Sequence, residues 1–335
     1  MVAFMPRDSA SPSRLPSSRL PTEKLGLVIK IARMYHEQGL RQPDIAARLN
    51  ISQSRVSRFL KEAVALGVVR TIVVPPPGLR PELEDQVRER FGLSDVVAAD
   101  THGADDSAVL AALGAAGAAY LETTLTGQDR IGISSWSSTL LATVDAMVPR
   151  TVRTAESIVQ LIGGVGNPQV QVQATRLTDR LARVTGATPQ FLAAPGVVAS
   201  PLLRDALLQD EYIAEVAAAW SALSVVLVGI GSLQPSPLLK DSGNTVSLDE
   251  MEALRTSGAV GDVCLRFFDA HGALVESSLN ERVLGISVEA LRAVPRKVGI
   301  AGGERKHEAI RAAAAGGWID VLITDVATAE FLAAS

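Results

Sequence analysis

The sequence predicts an α/β chain in two parts: a small N-terminal winged helix-turn-helix and a larger, mostly parallel α/β body. Three observations carry this. Residues 40–67 read as two short helices around a tight turn. From about residue 96 onward, short Val/Ile/Leu-rich runs alternate with helical stretches, the pattern of a parallel sheet covered on both faces. Between them lies Pro75-Pro76-Pro77-Gly78, a semi-rigid break.

Leu25 to Gln38 is amphipathic, with Val28, Ile31, Ala32 and Tyr35 on one face. Pro43 suits the first turn of the next helix, where a missing N–H costs nothing. Ile45, Ala46 and Leu49 face inward, Asn50-Ile51 makes the turn, and Ser52 is an N-cap for a second helix. That helix turns Val56, Phe59, Leu60 and Val64 to the core. Its other face carries Ser52, Gln53, Ser54, Arg55, Ser57, Arg58 and Lys61, the hydrogen-bonding and cationic side chains that major-groove reading requires. Gly67 ends the helix, and Val68 to Val74 reads as a wing strand. The expected partner is double-stranded operator DNA.

Charge distribution supports this. The 335 residues carry a net −4, yet residues 19–80 hold 11 Lys/Arg against 4 Asp/Glu, a net of +7. The first 18 residues add +1, which leaves −12 on residues 81–335. A basic head on an acidic body is what a protein that sets one module on phosphate needs. The chain is 47% hydrophobic but only 4% aromatic, so its core is aliphatic. A single cysteine, Cys264, excludes an internal disulfide, and His36, His102, His271 and His307 lack metal-site spacing. No cofactor is expected. No run approaches the ~20 apolar residues of a membrane span, and the Ser/Pro-rich N-terminus lacks a signal-peptide core. The expected location is cytoplasmic. The expected organisation is a flexible tail (1–23), the DNA-binding domain (24–75), a linker with one helix (76–91) and an effector domain (92–335).

In the body, strands are expected at Val96–Ala99, Arg130–Ser134, Ile158–Gly163, Leu223–Gly229, Val260–Phe267, Lys297–Ala301 and Val321–Thr324. Helices are expected at Ala104–Leu125, Ser138–Met147, Gln171–Thr185, Leu202–Gln209, Ile213–Trp220, Leu248–Ser257 and Glu304–Ala315, and Pro81 to Phe91 is a charged helix with Leu83, Val87 and Phe91 on one stripe. Residues 232–259 read as an excursion from the sheet.

Ligands of open α/β sheets sit beyond the carboxyl ends of strands. Four such ends are rich in small and polar residues. Gly132 to Thr139 runs a strand into a helix with hydroxyls at Ser134, Ser135, Ser137, Ser138 and Thr139, a phosphate cradle without a Walker lysine or else a Ser-rich cap. Trp136 either stacks on a ligand or plugs the core. Gly163-Gly164-Val165-Gly166 is a glycine loop without the dinucleotide fingerprint. Gly302-Gly303 is followed by Lys306, one turn into a helix and able to reach the same anion. Asp325 takes sugar hydroxyls or caps the last helix. Asp262 is a further hydroxyl-binding candidate, and Asp269 to Gly272 reads as a hairpin turn.

Taken together, the segments GISSWSSTL (132–140), VQLIGGVG (159–166), FLAAPGVV (191–198), GDVCLRFFDAHG (261–272) and AGGERKHEAIRAAAAGGWIDVLITD (301–325) resemble the SorC/DeoR-type sugar-sensing bacterial transcriptional regulators, from Lys24 to the C-terminus. The resemblance implies an effector domain related in fold to sugar-phosphate isomerases and CoA-transferases, a phosphorylated sugar or close relative as effector, and a homo-oligomer. It carries the phosphate cradle to Gly132, Ser134, Ser135, Ser137, Ser138 and Thr139. Further anion contacts fall on Gly302, Gly303 and Lys306, and Asp262 faces sugar hydroxyls. The chain departs at Ser137 and Ser138, where the family often has Gly and a basic residue, so an unphosphorylated sugar or polyol stays open. The alternative class is a sugar-phosphate isomerase with an appended helical module. Its candidate groups, Asp262, Glu304 and Asp325, form no recognisable acid–base constellation.

Overall fold

The computed structural model describes residues 22–69, 78–101, 105–164, 168–234 and 246–335. They fall in two compact units, one within Met1–Val74 and one within Pro75–Ser335. The expected N-terminal tail up to residue 21, the wing from residue 70, the Pro75–Pro77 break, His102 and Gly166 lie outside the described residues.

Among the described residues the first unit has three helices, α1 (Thr22–His36), α2 (Gln42–Leu49) and α3 (Gln53–Ala65). Pro43 sits in the first turn of α2, Asn50 closes it in the left-handed region, and the Ser52 hydroxyl accepts from Arg55 N at 3.3 Å to cap α3. Val28, Ile31, Ile45, Val56 and Phe59 are buried at the centre, each worth roughly 1.5–3 kcal/mol against exposure. Two expected core positions differ. Val64 is 54% exposed and Ala63 is buried in its place, and Met34 replaces Tyr35. In each case the inward position is the neighbour, because the three-helix core takes a narrower stripe than the apolar residues span.

The second unit opens with α4 (Pro81–Phe91), whose Val87 is buried and whose Leu83 and Phe91 pack on the body core. A parallel seven-stranded sheet follows, built from β1 (Asp95–Ala99), β2 (Arg130–Ile133), β3 (Ser157–Gln160), β4 (Thr188–Gln190), β5 (Val225–Val228), β9 (Arg296–Ile300) and β10 (Val321–Asp325), in the order β1-β10-β9-β5-β2-β3-β4. The central strands are buried throughout, as near-continuous apolar runs require, with one core cluster on each face. The helices are α5 (Asp106–Thr124), α6 (Ser138–Ala146), α7 (Pro168–Thr185), α8 (Pro201–Leu208), α9 (Glu211–Ala219), α10 (Leu248–Thr256), α11 (Val288–Ala293), α12 (His307–Ala315) and α13 (Val326–Ala334). The chain builds outward from β2 to β4, then returns to place β5 on the other side of β2. That reversal is a topological switch point, where such sheets bind ligands.

The expected strand Val260–Phe267 is two strands. β7 (Ala259–Val263) and β8 (Arg266–Asp269) form an antiparallel hairpin, joined on the other side by β6 (Gly231–Ser232) into a small second sheet. The hairpin turn is Cys264-Leu265, with φ of 53° and 59°. Two successive left-handed residues define the twist-matched two-residue turn, normally written with Asn and Gly. Without them the turn left no sign in the sequence. The expected turn at Asp269–Gly272 is present, with the Asp269 carboxylate accepting from His271 N and Ala273 N.

Candidate functional site

In the second unit, the ends of β3, β5 and β9 and the small sheet converge on the loop after β2. Ser135 Oγ donates to Ile162 O at 3.1 Å and Trp136 Nε1 to Gly163 O at 3.3 Å, which ties the loop to the end of β3. Thr139 Oγ1 donates to Ile300 O at 2.8 Å, which ties it to the end of β9. Gly229, after β5, lies so close that a Cβ there would stand 2.5 Å from Ser137 Oγ. The Ser134 hydroxyl stands near the Cys264 thiol of the hairpin turn and opposes the rise of its pKa. The loop thus touches the ends of β3, β5 and β9 and the turn of the small sheet.

Most of the cradle hydroxyls are consumed in building it. A threonine has one O–H to give, and Thr139 gives it to Ile300 O, so Ser137 is the donor in the 2.8 Å Ser137–Thr139 pair. The same Ser137 oxygen accepts from Leu140 N as the cap of α6. What faces outward is the N-terminus of α6, whose first N–H groups have no partner within the helix and favour an anion, with half-exposed Ser138 upon it.

Three predicted residues are placed by packing. A Cβ on Gly132 would meet Leu161 at 2.5 Å, and one on Gly163 would meet the carbonyl oxygens of Pro195 and Ala194 at 2.3 and 2.4 Å. Trp136 is 7% exposed in an apolar cluster with Ile162, Leu265 and Phe267, so it plugs the core beneath the loop. Gly164 is buried beside them.

Gly302 and Gly303 leave β9 against Asp325. Its carboxylate accepts from Gly303 N at 2.8 Å and from Thr328 Oγ1 at 2.6 Å, and caps α13 through Thr328 N. Of its two expected roles, Asp325 takes the cap. A Cβ on Gly303 would meet nothing within 4 Å, so this backbone borders open space. Lys306 ends a one-turn 3-10 helix and stands at the start of α12, slightly earlier than the sequence suggests. Among the described residues its ammonium makes no hydrogen bond or ion pair. Burial lowers its pKa, while the Asp262 carboxylate and Arg305 pull in opposite directions.

Asp262 is held by contact of the two sheets with α12. A Cβ on Gly261 would stand 2.6 Å from Ala309 Cβ, so β7 lies directly on that helix. The Asp262 carboxylate is buried and accepts from Leu265 N at 3.0 Å, bracing the left-handed turn. Burial pushes its pKa up to about 6, against the opposing pull of the Leu265 N–H and Lys306. The Cys264 thiol, raised to about 12 by burial and Asp262, is a packing group and not a nucleophile. Cys264, Leu265 and Gly229 are the site-building residues that sequence reasoning missed. Glu304 is exposed, and Asp325 is spent on its cap, so the carboxylates proposed for isomerase chemistry do not converge. Among the described residues no group of His, Cys, Asp and Glu could hold a metal ion, and no helix is long and apolar enough to cross a membrane.

In the first unit, Ser52, Gln53, Ser54, Arg55, Arg58 and Lys61 are all exposed and Ser57 is half-buried. Arg55 lies over the Phe59 ring at 5.6 Å, which orients its guanidinium from the N-terminal turn of α3.

The Sugar-bind family model, a sugar-binding domain, matches residues 77–334. The sorbitol operon regulator of Klebsiella pneumoniae is 31% identical over 315 residues, 93% of this chain and 98% of that protein. The deoxyribonucleoside regulator of Bacillus subtilis (strain 168) is 31% identical over 310 residues, 92% of this chain and 98% of its own length. The crystal structure of full-length SorC from Klebsiella pneumoniae superposes with a TM-score of 0.71 at 30% identity, covering 92% of this chain and 98% of that one. The relatives are regulators and not enzymes, and their similarity spans both units. The chain belongs to the SorC/DeoR-type family of sugar-binding transcriptional regulators.

Proposed function

We propose that the chain binds operator DNA through the exposed face of α3 and that a sugar phosphate, or a related sugar or polyol, bound at the switch point sets its operator affinity. The observation that carries the effector reading is Lys306: a half-buried lysine whose ammonium makes no hydrogen bond or ion pair among the described residues, at the same strand ends as the α6 N-terminus and the open backbone of Gly303. An anion there satisfies all three. Asp262, with one carboxylate oxygen on Leu265 N, has the other for a hydroxyl.

Control is linkage. An effector that binds one DNA-affinity state better than another shifts operator binding by that difference and no more, typically ~1–3 kcal/mol. Two-fold operators are met by two copies of a single-headed chain, so a homo-oligomer is part of this reading. The test is a thermal-shift screen against sugars, polyols and their phosphates, followed by operator titration with each hit. A ligand that binds only the folded state raises the melting temperature by mass action. Saturable binding without turnover supports the reading, and conversion of a sugar phosphate to product overturns it.

A further inference from the structure

The Asp325 carboxylate holds two elements at once. Its Oδ2 accepts from Gly303 N at 2.8 Å, at the edge of the effector site, and from Thr328 Oγ1 at 2.6 Å, in the first turn of α13. Thr328 Oγ1 also accepts a longer bond, 3.3 Å, from Gly303 N. The effector-site backbone and the start of α13 are therefore one hydrogen-bonded knot. A second joint lies beside it. The ring of His307, the residue after Lys306, stacks on Phe331 of α13 with centroids 4.5 Å apart and planes at 23°. α13 in turn packs on α4. Phe331 and Leu332 share a core cluster with Leu83, Val87 and Phe91, and Arg90 Nη1 donates to Ala333 O at 3.3 Å. The start of α4 is held separately. Glu84 Oε1 accepts from Ala98 N at 2.9 Å on β1, whose Ala99 lies in register with Asp325.

We propose that α13 is a lever that carries occupancy of the effector site to α4, the helix the chain reaches on leaving the first unit. The lever rests on the effector reading. Its switch is the Gly303 N–H. A backbone nitrogen has one hydrogen to give, and here it goes to the α13 knot. An anion seated on the open face of Gly303 and on Lys306 competes for it. When the anion takes it, α13 loses its tie to the end of β9. The same pull on Lys306 shifts His307 against Phe331. Two alternative acceptors for one donor supply the two states that coupling requires. α4 follows at its last turn, through Arg90 and the apolar contacts, while Glu84 keeps its first turn on the sheet.

Hydrogen exchange of the full chain, read by mass spectrometry with and without saturating inorganic phosphate, tests this. In wild type, phosphate should slow exchange at 301–307 and quicken it at 326–334 and 81–91. The change at 81–91 should be about fivefold or more, the low end of the usual coupling range. Phe331→Leu removes the ring stack and Arg90→Ala removes the tie to α4, both outside the effector site. Each should keep the slowing at 301–307 and lose most of the response at 81–91. Arg88→Ala, whose guanidinium pairs with Asp85 and Glu89 of its own helix, is the control and should respond as wild type. Slowing at 301–307 with exchange at 81–91 unchanged or slowed overturns the lever and leaves the effector site standing. A full response at 81–91 in both variants also overturns it. No change at 301–307 overturns the anion site, and the lever with it.

Discussion

Thr139 Oγ1 donates to the carbonyl oxygen of Ile300 across 2.8 Å, joining the start of α6 to the end of β9. The two residues lie 161 positions apart in sequence. This bond, with the Ser137 hydroxyl feeding into it, holds the α6 N-terminus beside the Gly302-Gly303 backbone. The relay runs from Leu140 N to Ser137 Oγ, to Thr139 Oγ1 and to Ile300 O.

Thr139→Val keeps the shape of the side chain but strands the Ile300 carbonyl and the Ser137 hydroxyl in a buried setting. Loss of a buried partner costs about 1–3 kcal/mol. Urea unfolding should show that loss, and effector affinity should fall while effector-free operator affinity stays near wild type. An unchanged effector affinity would remove the relay from the account of the site.

Lys306→Met removes the charge and keeps most of the stem. Effector binding measured by calorimetry should weaken by about tenfold or more, since a charge-assisted contact contributes ~1.5–3 kcal/mol. Because the ammonium makes no hydrogen bond or ion pair among the described residues and burial disfavours its charge, the melting temperature should hold or rise. A large loss of stability instead would mean that Lys306 is a structural group.

The pH dependence of stability follows from Asp262. Its folded pKa of about 6 lies above the ordinary carboxylate value of 3.8, so the folded state binds the proton more tightly than the unfolded chain. The resulting stabilisation is complete below the unfolded pKa and is lost as pH rises through about 6. Asp262→Asn should remove that component of the slope between about pH 4 and 6, visible as a flatter melting temperature against pH, and should weaken binding of a polyhydroxylated effector.

Along α3 the predictions divide by role. Arg58→Ala or Lys61→Ala, as phosphate contacts, should weaken all sequences alike and lower the salt slope of binding by about one unit. Gln53→Ala or Arg55→Ala, as base readers, should cost about 1–3 kcal/mol of discrimination and relax sequence preference. Anisotropy with specific and random duplexes across salt separates the two patterns.

What the sequence made legible was what periodicity and turn chemistry encode. The helix-turn-helix was readable from Pro43, Asn50 and Ser52, each placed by local backbone demand. The parallel strands were readable as buried Val/Ile runs. The Cys264-Leu265 turn was not, because neither residue favours the left-handed region, and the turn is sustained by the Asp262 carboxylate and by packing of Leu265 with Trp136. β4 is three residues with a proline and carries no apolar alternation. The fate of the cradle hydroxyls also escaped local reading. Ser135 and Thr139 read as ligand donors until their acceptors, Ile162 O and Ile300 O, were brought to them by the sheet order.

The most direct test of the central claim is operator affinity of the full chain, measured by anisotropy with and without a saturating effector identified by calorimetry, for wild type and Lys306→Met. The account predicts a change of about 5–150-fold for wild type, the usual range of coupling, and little or none for Lys306→Met at the same effector concentration. An effector that binds wild type at this site yet leaves operator affinity unchanged would contradict it.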